Sequence, residues 1–259
     1  MDLKLKGKLA IVTGASRGIG RAVAEVLAEE GCDLLIAARN GDMLAELAGT
    51  LTGKFGVEVR PHQADLSNSA EQMTLVEGAG EVDIWINNAG DIPGGSITAI
   101  DEKTWREGWE LKVFGYINIC RVVYAKMVKR GSGVIINVIG DAGNNPFAEY
   151  IAGCSGNAAL IAMSEALGRE SFKHGVRVVS VNPAATLTDR VEKLWRKRAQ
   201  SQFGDAGKWR EFAKTHPWGR PAEAREVADV VAFMASDRAS YVSGTGITLG
   251  VTPVYRVSD

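Results

Sequence analysis

The sequence has few cysteines, no long apolar run and almost no net charge. Its three cysteines, Cys32, Cys120 and Cys154, show neither a CxxC nor a zinc-ligand spacing, so we expect no disulfide framework and no metal site, and a cytoplasmic location. No apolar run reaches the ~18 residues that a membrane-spanning helix needs, and the first residues contain no apolar stretch of the kind found in signal peptides, so we expect neither export nor a membrane span. The formal net charge of −1 favours neither nucleic acid nor an anionic membrane as a partner. A small-molecule substrate is therefore the expected partner.

Short β-branched runs alternate with longer helical patterns along the whole chain. The predicted strands are Leu9–Thr13, Asp33–Ala38, Val57–Gln63, Val82–Asn87, Val134–Ile139 and Val176–Asn182. The predicted helices include Met43–Leu51, Trp105–Val128 and Ala158–Ser171. Apolar strands separated by helices predict an α/β fold with a doubly wound parallel sheet, the Rossmann fold. No linker or repeat interrupts the pattern, so residues 1–259 are interpreted as a single domain.

A glycine-rich turn follows the first predicted strand and precedes a helical pattern. It reads Thr13-Gly14-Ala15-Ser16-Arg17-Gly18-Ile19-Gly20. Gly14 permits a sharp turn, Gly18 lets backbone N–H groups approach a phosphate, and Gly20 lets the helix pack closely on the strand. Glycines in this context predict a dinucleotide site at the helix N-terminus.

Basic residues are concentrated between Arg190 and Arg220, where few acids balance them. The cations are Arg190, Lys193, Arg196, Lys197, Arg198, Lys208, Arg210, Lys214 and Arg220. A long insert after the sixth strand of such a fold stands near the carboxyl ends of the strands, where ligands bind. Residues 188–220 are therefore a candidate substrate lid, called the candidate lid below, although a solvated helical face explains the charges equally well. The cations suggest an anionic substrate, and Trp195, Phe203, Trp209 and Trp218 suggest an aromatic one.

Several motifs in one order carry a family resemblance. They are the turn Thr13–Gly20, Asp65-Leu66, Asn87-Asn88-Ala89-Gly90, Pro183 with Thr188, and the stretch from Gly219-Arg220-Pro221 to Asp237. With these motifs the chain resembles the classical short-chain dehydrogenases/reductases over nearly its whole length. The resemblance implies a nicotinamide dinucleotide cofactor, carbonyl–alcohol chemistry and a homo-oligomer, either a dimer or a tetramer.

The resemblance also implies which residues bind the cofactor. In the family the glycine turn holds the pyrophosphate, the aspartate after the third strand binds the adenine amino group, and a threonine after the sixth strand binds the nicotinamide carboxamide. The expected cofactor-binding residues are Gly14, Ser16, Arg17, Gly18, Ile19, Gly20, Arg39, Asp65, Leu66, Asn88, Ala89, Gly90, Pro183 and Thr188.

The residues after the second strand favour NADP over NAD. An NAD enzyme usually places a carboxylate there for the ribose hydroxyls, whereas this chain has Ala38-Arg39-Asn40. Arg39 and Arg17 offer two guanidinium groups to a 2′-phosphate, and such pairs are strong. The alternative is that both arginines are exposed charges at helix starts.

The family's four catalytic positions carry other residues in this chain. Counted without gaps from Asn87-Asn88-Ala89-Gly90, the catalytic Asn, Ser, Tyr and Lys positions fall on Lys112, Gly140, Gly153 and Asn157. Lys112 and Asn157 suggest an exchange in which the ammonium group arrives from the facing helix. Gly140 leaves backbone N–H groups free to polarise a carbonyl in place of a serine hydroxyl.

Tyr150 is the candidate proton donor, with Lys112 and Asn157 completing the predicted catalytic set. If a helix starts at Asn145-Pro146, Tyr150 shares a face with Gly153, which leaves room for its ring. A phenol with an ordinary pKa near ~10 needs a cation such as Lys112 to lower that pKa. Asp141 and Glu149 are further acid–base candidates. The alternative is that Tyr150 is a packed aromatic residue and Lys112 a cation that reaches the surface.

Three functions remain open on the sequence alone. The first is an NADP-dependent oxidoreductase that interconverts a carbonyl and an alcohol with a non-standard proton donor. The second is a non-catalytic NADP-binding protein of the same fold, as a regulatory subunit would be. The third, a cofactor-free lyase or dehalogenase, is disfavoured because the glycine turn is intact.

Overall fold

Nine strands and eight α-helices follow one another in the computed structural model, which describes residues 1–250 apart from the side chains of residues 197, 198, 201, 215 and 217. The strands are β1 (Leu9–Thr13), β2 (Asp33–Ala38), β3 (Val59–Gln63), β4 (Ile84–Asn87), β5 (Gly133–Val138), β6 (Val176–Pro183), β7 (Thr186–Leu187), β8 (Ala222–Glu223) and β9 (Gly246–Leu249). The last residues of the predicted domain, 251–259, and the side chains of two lid cations, at 197 and 198, lie outside this description.

The helices alternate with the strands, and two consecutive helices, the fourth and the fifth, are joined without a strand between them. They are α1 (Gly18–Glu29), α2 (Gly41–Phe55), α3 (Ser69–Gly78), α4 (Glu102–Trp109), α5 (Gly115–Arg130), α6 (Ile151–Ser171), α7 (Asp189–Phe203) and α8 (Ala224–Ala235). A π turn, Glu110–Phe114, joins α4 to α5, and 3₁₀ turns span Ala206–Thr215 and Pro217–Gly219 after α7.

Seven parallel strands form the central sheet in the order β3-β2-β1-β4-β5-β6-β9. Alternate residues of β1 face opposite sides: Ala10 and Val12 pack with α1, α2 and α8, whereas Ile11 packs with α3 and α5. Burial on both faces explains why the strands are almost uniformly apolar, and it confirms the predicted doubly wound fold. The strand order reverses between β1 and β4, so a crevice opens at their carboxyl ends.

Two local predictions are wrong. The pattern Trp105–Val128 is not one α-helix, because the π turn at Glu110–Phe114 divides it. The helix predicted to start at Asn145-Pro146 starts at Ile151. Two contacts explain the late start: the Asn145 amide donates to the nearby Asp141 carboxylate at 2.8 Å, and Tyr150, whose ψ of 34° with a φ of −139° is not helical, forms a parallel bridge with Gly95.

All three cysteines are buried, free and in different surroundings. Cys32 belongs to the core on one face of the sheet and Cys120 to the core on the other face. Burial raises the pKa of each of these two thiols to about 12. The Cys154 thiol contacts the backbone N and O of Phe147. No helix among residues 1–250 is both long enough and apolar enough to span a membrane.

Candidate active site

The glycine turn adopts conformations that side chains tolerate poorly. Gly14 and Gly18 have φ values of 68° and 58°. A Cβ atom on Gly20 would overlap the carbonyl oxygen of Gly14 and the amide of Asn88. This short turn leads from the end of β1 to the start of α1, whose first backbone N–H groups face the crevice. Ser16 and Ile19 are half-buried within this turn, and Arg17 is exposed.

Asn88 and Ala89 connect the end of β4 to the end of β1. The backbone N–H groups of Asn88 and Ala89 donate to Thr13 Oγ1 at 2.9 and 3.2 Å, and Asn88 Nδ2 donates to the carbonyl of Thr13 at 3.0 Å. A Cβ atom on Gly14 would lie 2.9 Å from Ala89 Cα. The two strand ends therefore form one rigid edge of the crevice.

The start of α7 lies against the glycine turn. Pro183 ends β6, and Thr188 caps α7, its hydroxyl accepting from the N–H of Val191 at 3.4 Å. A Cβ atom on Gly18 would lie 3.3 Å from Thr188 Cγ2. The structure thus brings the predicted phosphate-binding turn and the predicted carboxamide-binding threonine into contact.

A cavity of about 410 Å³ lies beyond the end of β2. It is lined by Arg39, Asn40, Gly41, Asp42 and Gln63. Arg39 is exposed there, as a phosphate-binding guanidinium would need to be. The sequence interpretation missed Asp42. The available signal was its place in the first turn of α2, where a carboxylate is favoured by the helix dipole and lies close to a residue that caps the helix.

Asp65 and Leu66 follow β3 at the same edge of the sheet. The Asp65 carboxylate accepts from the N–H and the hydroxyl of Ser67 at 3.0 and 2.8 Å. The backbone N–H of Ser67 is the largest cause of the lowered pKa of Asp65, and Arg39 also lowers it. Leu66 is buried, and its carbonyl accepts from the Gln72 amide at 2.7 Å. A half-buried, ionised carboxylate here is able to accept one more hydrogen bond from a ligand.

Lys112 is a buried amine inside the π turn. Its side chain lies against Gly90, where a Cβ atom would come within 2.8 Å of Lys112 Cδ, and its Nζ donates to the carbonyl of Ile139. Burial, with a smaller contribution from the Arg190 charge, lowers the pKa of Lys112 to about 7. The predicted alternative, a cation that reaches the surface, does not fit an amine that is only 9% exposed. At neutral pH this amine is able both to give and to take a proton.

Asn157 and Gly140 face each other between α6 and the end of β5. Gly140 has a φ of 138°, and a Cβ atom on it would lie 2.9 Å from Asn157 Nδ2. Asn157 is 2% exposed, and its Oδ1 has no hydrogen-bond partner among the described residues. Buried amides are rarely left unpaired, so this oxygen is a candidate acceptor for a ligand hydroxyl.

Tyr150 precedes α6, yet its ring covers Gly153. A Cβ atom on Gly153 would overlap the phenol ring, so the glycine provides the space that the ring occupies. The backbone of Tyr150 is fixed by its bridge to Gly95, and the N–H of Gly95 donates to the Glu149 carbonyl at 2.7 Å. Burial is the largest influence on the phenol and raises its pKa, whereas the Arg190 guanidinium beside it lowers that pKa.

Among the charged residues, Arg190 has the largest influence on the pKa of the Tyr150 phenol, although the sequence interpretation counted it only as one of the lid cations. The Arg190 guanidinium lowers the pKa of the Tyr150 phenol and also that of Lys112. The signal that was available is its position two residues after Thr188, at the start of the lid helix. Of the other acid–base candidates, Asp141 accepts both bonds from the Asn145 amide, and Glu149 is exposed.

The aromatic residues of the candidate lid mostly form a core of their own. Trp195 and Trp209 are 6% and 4% exposed and pack with Phe212, while Phe203 stacks on Phe212. Trp195 and Trp209 therefore do not line an open aromatic subsite, whereas Trp218 is 82% exposed and Phe203 is 39% exposed. Carboxylates pair with several lid cations, including Arg196 with Glu192. Such pairing weakens the suggestion of an anionic substrate.

Comparison with known proteins gives consistent matches over the whole fold. The short chain dehydrogenase family matches residues 8–199. The 3-oxoacyl-acyl-carrier-protein reductase of Escherichia coli is 34% identical over 248 residues, covering 93% of this chain and 95% of that protein. The D-threitol dehydrogenase of Mycolicibacterium smegmatis is 29% identical over 252 residues, covering 96% and 93%. The L-sorbose reductase of Gluconobacter frateurii, solved with NADPH and L-sorbose, superposes with a TM-score of 0.90 at 32% identity, covering 96% and 97%.

Proposed function

Because the chain belongs to the short-chain dehydrogenase family, we propose that it is an NADP-dependent oxidoreductase that interconverts a carbonyl and an alcohol. One observation carries the proposal: the glycine turn, the end of β4 and the start of α7 meet at the crevice where the strand order reverses. Ligands of open α/β sheets bind at this point. The NADPH bound to the L-sorbose reductase, a relative of the same fold, supports a nicotinamide cofactor.

The residues present fit such a cofactor. The turn Gly14–Gly20 would hold the pyrophosphate, with Ser16, Arg17 and Ile19 in the same turn, and Arg39 would pair with a 2′-phosphate. Asp65 and Leu66 would lie at the adenine, Asn88, Ala89 and Gly90 at the adjoining ribose, and Pro183 and Thr188 at the nicotinamide. When bound, the nicotinamide supplies or accepts the hydride. The candidate lid would cover the substrate.

The chain's own residues would supply the proton. Tyr150 is the proposed donor to the oxygen of the carbonyl during reduction, with Lys112 as the proposed second proton-transfer group. Asn157, with its unpartnered Oδ1, would accept a hydrogen bond from a cofactor or substrate hydroxyl. Gly140 would leave backbone N–H groups open to the substrate. The resemblance puts glycine at two catalytic positions of the family, so this proton route is non-standard.

A second candidate function is a non-catalytic NADP-binding protein. The observation that favours it is the bond from Lys112 Nζ to the Ile139 carbonyl, which gives the amine a structural partner inside the protein. In that case the cofactor site would be retained for stability or regulation.

Fluorescence titration with NADPH, followed by assays on a panel of ketones, aldehydes and keto-sugars, tests the proposal. We expect saturable binding and turnover of at least one class. Gly18→Val is the negative control for binding, because valine would be forced into a φ near 58° and pressed on Thr188. Binding without turnover would favour the non-catalytic function, and an absence of binding would contradict both.

Single-turnover measurements on Tyr150→Phe, Lys112→Met and the double variant test the proton route. Loss of a proton donor should slow the chemical step ~10²–10⁴-fold. If the two residues act as a unit, the double variant should be little slower than the worse single variant. A full chemical rate in Tyr150→Phe would show that another group donates the proton.

A further inference from the structure

The turn between β2 and α2 is held by a side chain from the neighbouring strand. Gln63, the last residue of β3, lies beside Ala38, the last residue of β2, and its Nε2 donates to the carbonyl of Arg39 at 3.0 Å. Among the described residues, this is the only hydrogen bond to that carbonyl. The Gln63 amide therefore fixes the backbone at the residue whose guanidinium would meet a phosphate.

The same amide packs on Gly41, the first residue of α2. A Cβ atom on Gly41 would lie 2.8 Å from Gln63 Oε1, so an alanine at position 41 would push the Gln63 amide out of its place. The φ of Gly41 is not positive, so the backbone itself would accept an alanine. Asn40 stands between the two contacts and caps α2, its side chain accepting from the N–H of Met43 at 3.0 Å. Gln63 thus contacts the turn on both sides of the residue that starts the helix.

Gln63, Arg39 and Gly41 line the same cavity at the end of β2. The Arg39 side chain is exposed there, and its charge is close enough to Asp65 to lower the pKa of that carboxyl. A long, exposed side chain points into the cavity only as reliably as its backbone is held, because a rotation of the turn moves the far end of the side chain most. The contacts of Gln63 therefore bear on where the guanidinium lies.

We propose that Gln63 is a positioning residue for cofactor selection: by holding the turn 39–41, it keeps the Arg39 guanidinium on the 2′-phosphate and so favours NADP over NAD. The inference rests on the proposed function, in which Arg39 pairs with that phosphate. Such pairing is directional, because the two parallel N–H···O bonds of a guanidinium form only in one arrangement. A nucleotide without the 2′-phosphate makes no such bonds, so its affinity should depend on Gln63 much less.

The test is a calorimetric titration of the full chain with adenosine 2′,5′-bisphosphate and adenosine 5′-monophosphate, which differ only in the 2′-phosphate, at equal ionic strength. Gln63→Ala removes the amide, Gly41→Ala displaces it, and the double variant combines the two changes. Gly53→Ala is one control, because it adds the same methyl group to α2 in open space. Gln200→Ala is the other, because the Gln200 amide also donates to a backbone carbonyl, that of Gly204, but within the candidate lid.

The unmodified chain should bind the bisphosphate more tightly than the monophosphate. In Gln63→Ala we expect this preference to fall ~3–10-fold, as for the loss of one hydrogen bond, while the affinity for the monophosphate changes less than twofold. Gly41→Ala should have a similar effect. The double variant should lose little more than the worse single variant, because both changes remove the same contact. Both controls should keep the full preference.

An unchanged preference in Gln63→Ala would overturn the inference and leave the pairing of Arg39 with the phosphate intact. An equal loss of affinity for both nucleotides would also overturn it, since that result indicates a purely structural role. Equal affinity for the two nucleotides in the unmodified chain would refute the proposed preference for NADP, and the inference with it. The titrations need no turnover, so a chain that binds the cofactor without catalysis still tests the role of Gln63.

Discussion

Arg39 and Asp42 carry opposite charges into the cavity at the end of β2. A phosphate bound there would be attracted by the guanidinium and repelled by the carboxylate. A ribose hydroxyl, in contrast, would donate a hydrogen bond to that carboxylate. The preference between NADP and NAD therefore depends on the balance of these two side chains. NADP is preferred only if the guanidinium of Arg39 lies closer to the 2′-phosphate than the carboxylate of Asp42 does.

Substituting Arg39 and Asp42 one at a time tests the balance between their two effects. Arg39→Ala should reduce the preference for NADP by ~1–3 kcal/mol, about 5- to 150-fold in the ratio of dissociation constants, as expected for a charge-assisted bond. Asp42→Asn should change the same ratio in the opposite direction. Titrations with NADPH and NADH under equal salt give both ratios. Equal affinity for the two cofactors in the unmodified chain would refute the assignment of Arg39.

Lys112 makes stability depend on pH, since its pKa of about 7 in the folded state lies far below the ordinary value of 10.5. Below the folded pKa the amine is charged in both states, and its burial opposes folding fully. Between the two pKa values the unfolded state binds more protons, so the free energy of unfolding rises with pH. The contribution that opposes folding disappears near the unfolded pKa.

Denaturant unfolding of wild type and Lys112→Met at several pH values isolates this effect, because other titrating groups cancel in the difference. The free energy of unfolding of wild type relative to Lys112→Met should rise by about 2 kcal/mol between roughly pH 7.5 and 9.5. Lys126→Met serves as the control, since Lys126 also donates to a backbone carbonyl but is only partly buried. A difference that does not vary with pH would show that the amine is not desolvated.

The first turn of α6 contains Gly153, whose lack of a side chain makes room for the Tyr150 ring. Tyr150 stands just before the first turn, and its ring occupies the volume that a side chain at Gly153 would fill. A glycine inside a helix lowers stability by ~1 kcal/mol relative to alanine. Gly153 therefore makes the helix less stable but allows the Tyr150 ring to occupy this position.

Gly153→Ala should therefore displace the phenol from its position over residue 153. We expect the chemical step to slow to about the rate of Tyr150→Phe, while NADPH affinity changes less than twofold. Gly49→Ala on α2 is the control, because open space surrounds the added methyl group there. Single-turnover rates and NADPH titrations of both variants measure the effect. An unchanged rate in Gly153→Ala would mean that the ring position does not matter for chemistry.

The elements that the sequence predicted well are those that short-range chemistry determines. The strands β1 and β2 were predicted with their observed bounds, because a strand covered on both faces must be apolar throughout. The turn Gly14–Gly20 was predictable because positive φ values favour glycine. The space for the Tyr150 ring over Gly153 was predictable because glycine has no side chain to fill it.

The features that the sequence did not predict depend mostly on contacts between segments that are distant in the chain. The helix start at Ile151 follows from the bridge between Tyr150 and Gly95, which lie far apart in the chain. The position of the Arg190 guanidinium depends on the carbonyls of Gly90 and Ile92, whose positions no local pattern indicates. The π turn at Glu110–Phe114 likewise leaves no periodic signal that separates it from an α-helix.

Across the whole molecule, the cofactor crevice joins parts of the chain that are far apart in sequence. The glycine turn, the end of β4 and the start of α7 all contribute to it. A ligand that binds only when these parts are together should stabilise the entire fold. By mass action the gain is about 2.7 kcal/mol at a free ligand concentration ~100 times the dissociation constant.

Thermal unfolding with and without NADPH measures this coupling. For a chain of this size, a gain of that order should raise the midpoint temperature by ~5–10 °C. Gly18→Val should show no such rise. Gly56→Val should show it in full, because Gly56 also has a positive φ but faces open space away from the crevice. A rise of equal size in Gly18→Val would indicate that NADPH binds elsewhere.

Because all three cysteines are buried, their thiols can be used to measure how often each region of the protein opens locally. A maleimide reaches a buried thiol only after the surrounding structure opens, so the rate of labelling reports how often that region opens. Cys32 and Cys120 report on the two faces of the sheet, and Cys154 reports on the segment that holds Tyr150. In chains that keep one cysteine at a time, labelling will show whether the segment around Tyr150 opens on its own or only together with the rest of the molecule.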